Sequence, residues 1–143
     1  MADTLTDLKR YVFVYGTLRK GQERDINDLQ PAPIFKGNSQ INGTLYDLGS
    51  YPGVRLGGLT WVRGEVYQIT SELEKKLDEI EEVWPQQSAE YLRRDVVVQC
   101  VGAVFDCLVY EVVEVRTFGR AVITSGDWVK RDMRLTSNPK PDQ

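Results

Sequence analysis

The sequence predicts a single α+β domain, mainly strand, in which a sheet or small barrel carries one or two helices. β-Branched and aromatic runs recur along the chain with turn residues between them, and one segment has a strong helical period. A length of 143 residues with average apolar content is enough for one core and too little for two ordinary domains. Many strands with few helices fit a layered α+β architecture.

The first strand covers residues 11–15, Tyr-Val-Phe-Val-Tyr, an apolar run suited to burial. It breaks abruptly into Gly16-Thr17-Leu18-Arg19-Lys20-Gly21. Gly16 there permits dihedrals, or a close approach, that a side chain would forbid, so that successive N–H groups can point at a ligand. The turn reads as a preformed cradle for an anion or a carbonyl. Residues 22–29, ahead of Pro31, are a second helical candidate. Strands follow over 40–48 and 60–69, with strong turn chemistry in Leu48-Gly49-Ser50-Tyr51-Pro52-Gly53.

Ser71 with Glu74 three positions later has the form of a capping box, and Leu73, Leu77, Ile80 and Trp84 recur at helical spacing, so a helix is expected over 72–82. The last two strands, 92–100 and 103–115, are separated only by Val101-Gly102, which predicts a hairpin and antiparallel pairing at that end. The ordered core should cover about residues 10–133 of one domain spanning 1–143. The polar, proline-punctuated tail 136–143 reads as frayed.

Composition excludes several classes of chemistry. With 18 Lys plus Arg against 21 Asp plus Glu, the net charge of −3 leaves no footprint for nucleic acid, and a small neutral or polar ligand is easier to accommodate. Histidine is absent, which removes Ser-His, Cys-His and His-metal chemistry. Cys100 and Cys107 fit neither a C-x-x-C motif nor a metal spacing and read as reduced core thiols. Neither an apolar run of membrane-spanning length nor a signal-peptide pattern is present, so a soluble, cytoplasmic protein without membrane partners is expected. The spacing of Gly16 and Gly21 superficially matches a P-loop, but Gln22-Glu23 stands where Lys-Ser/Thr would contact phosphate and magnesium. Dinucleotide binding fails as well, for want of G-x-G-x-x-G and a βαβ pattern. No metal or cofactor is implied.

The helix ranks its own acids. At ~100° per residue, Glu81 lies about 70° from the centre of the apolar stripe and Glu82 roughly 170° away. Glu81 therefore borders the buried face, where partial desolvation raises a carboxyl pKa toward the range of a general base at neutral pH. The same pattern suits a boundary residue of any solvated amphipathic helix, which is the commoner case.

Taken in order along the chain, Val12-Phe-Val-Tyr-Gly-Thr-Leu18, Ile41-Asn-Gly-Thr-Leu-Tyr-Asp-Leu-Gly-Ser-Tyr-Pro-Gly53, Val62-Arg-Gly-Glu-Val-Tyr67, Leu77-Asp-x-x-Glu81, Tyr91-x-Arg93 and Ser125-Gly-Asp-Trp128 resemble the γ-glutamylcyclotransferase-like family, particularly its small bacterial and γ-glutamylamine cyclotransferase branches. The resemblance covers about residues 11 to 130. It implies a small mixed, mainly antiparallel β barrel with one or two flanking helices and one polar pocket. It further implies cofactor-independent cyclisation of a γ-glutamyl amine or amino acid to 5-oxoproline, with Glu81 as the general acid and base.

The substrate-binding residues implied are Tyr15, Gly16, Thr17 and Leu18. The turn amides hold either the substrate carboxylate or the oxyanion. Tyr15 serves as pocket wall, phenolic donor or core aromatic, and Thr17 as ligand contact or turn residue. Tyr51 and Trp128 are further candidates, each with rigid-loop or packing roles as the simpler account, and Arg93 reads as a partner for a surface carboxylate. Two departures stand out: Glu82 occupies a position where many relatives have Gly, and Trp84-Pro85-Gln86-Gln87-Ser88 alters the helix exit. A non-catalytic metabolite-binding module on the same fold is the alternative.

Overall fold

The computed structural model describes residues 10–83 and 90–131 of the chain. Trp84, the segment 85–88, residues 1–9, the tail 136–143 and the Glu82 side chain lie outside the described residues. Five strands and one α-helix follow in order: β1 (Arg10–Val14), β2 (Ile34–Asp47), β3 (Pro52–Ile69), α1 (Ser71–Val83), β4 (Tyr91–Cys100) and β5 (Ala103–Val112). They form one mixed sheet of order β2-β3-β1-β5-β4. All neighbours are antiparallel except β1 with β5.

The sheet curls. β3 pairs with β1 along its second half, and its Val54 reaches past β1 to pair with Glu111 of β5. The outermost strands approach each other, the Ser39 hydroxyl of β2 donating to the Gln99 carbonyl of β4. They do not form a ladder, so the fold is an incompletely closed sheet and the barrel description is loose.

β1 lacks the polar alternation of a half-exposed strand because both of its faces are buried. Val12 and Val14 join Leu73, Leu77, Leu108 and Tyr110 under α1, while Phe13 and Tyr15 join Val54, Val62, Val109 and Trp128 on the other side. β2 and β3 extend further back than their apolar patterns suggest. Residues 34–40 are largely exposed, and the register jumps from Asn42↔Trp61 to Gly43↔Leu56, so residues 57–60 bulge outward. The β4–β5 hairpin turns at Val101-Gly102 with Cys100 opposite Ala103, and β5 ends at Val112, before a 3-10 turn at Glu114–Thr117.

Two local expectations are corrected. Residues 22–29 form no α-helix, only a 3-10 turn at Ile26–Asp28. The first amides that an α-helix over 22–29 would use are bound elsewhere, that of Ile26 to the Leu18 carbonyl and that of Asn27 to the Asp25 carboxylate. The capping box also shifts. Thr70 caps α1, its Oγ1 accepting from the Leu73 amide at 3.1 Å, and Glu74 instead pairs with Arg10 and Arg93. Asp78, one turn along, accepts from Arg93 of β4 and from the Tyr110 hydroxyl of β5, both at 2.6 Å. These contacts lock α1 to the sheet and carry Ile80 and Glu81 to its edge. No helix among the described residues is long and apolar enough to cross a membrane.

Candidate active site

A cleft with about 520 Å³ of atom-free space, its open mouth included, lies where β1 ends. Its wall is built from Tyr15, Gly16, Thr17 and Leu18 after β1, Arg24 in the following loop, Tyr51 and Pro52 at the start of β3, Ile80 and Glu81 of α1, Tyr91 of β4 and Tyr110 of β5. Six segments distant in sequence thus meet around one space, as ligand sites generally require.

At Gly16 the need is for close approach: a Cβ there would sit 2.7 Å from Pro52 Cγ and 2.8 Å from its Cδ. The loop that follows captures the turn's carbonyls one after another. Gly16 O accepts from the Arg19 amide at 3.0 Å, Thr17 O from Arg24 at 2.9 Å and Leu18 O from Ile26 at 2.9 Å. The N–H groups of Gly16, Thr17 and Leu18 donate to no acceptor among the described residues. The turn therefore offers the cleft wall a run of donors whose acceptors are already spent inward. Arg19 anchors it, with Nε at 2.9 Å from Glu65 and Nη1 at 2.9 Å from Asp127, and both carboxylates are buried. Glu65 also accepts from the Lys20 amide and the Tyr67 hydroxyl.

Glu81 is half-buried and accepts no hydrogen bond from a described residue. Burial pushes its carboxyl up to about 7, with Arg24 pulling down and Glu90 adding to the rise. The tyrosines around it move away from neutrality. Burial raises Tyr15, Tyr91 and Tyr110 well above the ordinary phenol range, and raises Tyr51 to about 12. Among the described wall residues, Glu81 is thus the group whose ionisation is brought nearest to neutral pH.

Of the residues singled out from sequence, the fold brings Tyr15, Gly16, Thr17, Leu18, Tyr51 and Glu81 to the cleft. Tyr15 is both wall and core: its hydroxyl donates to Tyr110 O at 2.7 Å and accepts from the Val54 amide at 3.2 Å. Tyr51 donates to Glu90 at 2.8 Å. Trp128 does not line the cleft. Gly126 has φ +69°, and a Cβ there would meet Trp61 O at 1.9 Å, so the 125–128 turn is pressed on β3 and sends Trp128 into the opposite core with Arg131 stacked on its ring. Arg93 serves the α1 clamp.

Sequence reasoning missed Arg24, Tyr91 and Tyr110 as wall residues. Tyr91 and Tyr110 follow from strand phase once the register is known, whereas Arg24 sits in an aperiodic loop that gives no signal. Glu90 is also unforeseen. It is 3% exposed, its Oε2 is bonded by Tyr51, and its Oε1 has no partner among the described residues. The assembled cleft can hold an anionic or carbonyl oxygen on the turn amides and move a proton at Glu81.

Comparison with known proteins gives this geometry a context. Residues 12–130 match the family model described as gamma-glutamyl cyclotransferase, AIG2-like. The chain is 32% identical over 124 residues to the "Putative gamma-glutamylcyclotransferase" of Vibrio cholerae, covering 87% of this chain and 99% of that protein. It is 40% identical over 72 residues to the gamma-L-glutamyl-butirosin B gamma-glutamyl cyclotransferase of Niallia circulans, covering 50% of this chain and 45% of that longer protein. Among solved structures, YkqA of Bacillus subtilis superimposes with a TM-score of 0.69 at 25% identity, over 90% of this chain and 43% of its own. With the model match running from β1 to the turn after Trp128, the chain belongs to the gamma-glutamyl cyclotransferase, AIG2-like family.

Proposed function

We propose that the protein cyclises a γ-glutamyl amine or γ-glutamyl amino acid to 5-oxoproline and releases the free amine, with Glu81 as the acid–base group. The observation that carries this reading is the convergence on one cleft of a desolvated carboxyl and a row of backbone donors, neither of which has a hydrogen-bond partner among the described residues. The chemistry needs little more. Glu81 removes a proton from the substrate's α-ammonium, the freed nitrogen attacks the γ-carbonyl carbon, and a C–N bond closes a five-membered ring. Negative charge collects on the carbonyl oxygen, facing the amides of Gly16, Thr17 and Leu18. The exocyclic C–N bond then breaks as the proton held by Glu81 passes to the leaving nitrogen, and the second proton, left on the ring nitrogen by its attack, returns to Glu81 and goes on to the released amine, giving the neutral lactam and an ammonium. The nucleophile is tethered to its electrophile, so holding a productive conformer supplies much of the acceleration.

The γ-glutamyl substrate named for the Niallia circulans relative supports a γ-glutamyl amide as the substrate class. The free, buried thiols of Cys100 and Cys107 fit a cytoplasmic setting. The test is release of 5-oxoproline from a panel of γ-glutamyl amines and amino acids by the wild type and by Glu81→Gln. Turnover of one class by the wild type, with the variant reduced ~10²- to 10⁴-fold but still binding, is the expected result. Full activity of Glu81→Gln would sink the mechanism. An inactive wild type would favour a binding module on the same fold.

A further inference from the structure

Arg24 is the sole cation among the described residues lining the cleft, and nothing in its sequence context marks it. Its amide is bonded to Thr17 O at 2.9 Å, so its backbone is fixed to the donor turn, and Arg24 lines the same cleft as Glu81, whose carboxyl its positive charge pulls down. The cleft therefore presents three different functions side by side: neutral amide donors, a carboxylate and a guanidinium.

A γ-glutamyl group presents three complementary functions: a γ-carbonyl oxygen, an α-ammonium and an α-carboxylate. The ammonium must meet Glu81 to lose its proton. Because the α-carboxylate is attached to the same carbon, its partner must line the same cleft as Glu81, a condition that Arg24 meets. A permanent anion gains most from a charged planar fork, whereas an oxygen that becomes anionic only in the transition state gains most from preorganised neutral donors. We propose that Arg24 holds the α-carboxylate of the γ-glutamyl group, which leaves the amides of Gly16, Thr17 and Leu18 as the oxyanion hole. With five N–H donors, the guanidinium can do this beside any neighbour it already engages.

This assignment rests on the γ-glutamyl reading and can be tested apart from it. Kinetics are measured for wild type, Arg24→Gln and Arg24→Lys on a γ-glutamyl substrate and on its α-carboxamide counterpart. The wild type should prefer the carboxylate ~10- to 100-fold in kcat/KM, chiefly through KM, the size of a lost charged hydrogen bond. Arg24→Gln should lose that preference, falling further on the carboxylate than on the amide by the same factor, beyond any loss both substrates share because Glu81 rises without Arg24; its turnover of the amide also shows that the variant is folded, and Arg24→Lys should recover part of the preference.

Equal losses on both substrates, or an indifferent wild type, would overturn the assignment. A second arm needs no turnover: calorimetric binding of 5-oxoproline against 5-oxoprolinamide by wild type and Arg24→Gln. If the wild type cyclises nothing yet Arg24 discriminates the acid from its amide, the catalytic reading fails and the carboxylate site stands. If neither protein discriminates them, the carboxylate site falls.

Discussion

Two groups of buried or half-buried acids flank the exit of β1, and they are treated in opposite ways. Behind the turn, Glu65 and Asp127 share one guanidinium, Arg19, and Glu65 gains an amide and a phenol besides. Glu111 on β5 is handled likewise: burial pushes it up, but the Leu56 amide, Arg94 and Arg55 hold it below the ordinary carboxylate range. In front of the turn, Glu81 takes no hydrogen bond from a described residue and is raised to about 7. Paired acids fix the scaffold because their charge is neutralised where it stands. A buried acid with no partner among the described residues ionises only at a cost in stability.

The comparison is broken most directly by reversing each treatment. Glu81→Gln should lower kcat by ~10²- to 10⁴-fold and yet stabilise the fold. The sign follows from the raised carboxyl: wild-type stability associated with Glu81 is intact below about pH 4.5 and is lost as pH rises through about 7. The variant's gain should thus be absent near pH 4 and reach about 1–3 kcal/mol at pH 8, allowing for water at the cleft mouth. Denaturant unfolding at the two pH values checks it, and an equally stable variant at both would show that Glu81 is not desolvated.

Arg19→Met should do the opposite, costing about 3–5 kcal/mol because it strands two buried carboxylates. Chemical denaturation reads the loss, and a cost under about 1 kcal/mol would mean that Glu65 and Asp127 do not depend on Arg19.

The wild-type pH profile sharpens the same contrast. If Glu81 must be ionised to act, kcat/KM should fall about tenfold per unit below an apparent pKa near 7 and level off above it. A limb near 4.5 would identify an ordinary exposed carboxylate.

Gly16→Ala tests the turn itself. Its methyl must displace Pro52, which should cost about 1–3 kcal/mol and, by shifting amides that face the developing oxyanion, lower kcat more than it raises KM. Tyr15→Phe should have the smallest effect, about 1 kcal/mol of stability from the lost bonds to Tyr110 O and Val54 N, with turnover nearly kept. A large loss of turnover in Tyr15→Phe would return the phenol to the chemistry.

Much of this was legible in the chain because it depends on neighbours in sequence. The uninterrupted apolar run of β1 already required burial on both faces, Val101-Gly102 fixed the hairpin, and the phase of α1 put Glu81 on its border. Local signals misled where a distant group outbid them. Thr70 took the cap while Glu74 turned to Arg10 and Arg93, and the Ile26 amide bonded back to the turn rather than winding a helix.

The sequence by itself determined a mainly β domain with one amphipathic helix, a donor-bearing glycine turn and an acid at the edge of a buried stripe. Each of these is set by periods of two or 3.6 residues and by single-residue conformational freedom. Only the tertiary structure decided that the turn and the acid face one cleft, that Trp128 is excluded from it, and that Arg24 belongs to it. Those outcomes rest on the register of β3 against β1 and on the clamp of Asp78 to Arg93 and Tyr110. Contacts of that kind join residues far apart in the chain, and no local period encodes them.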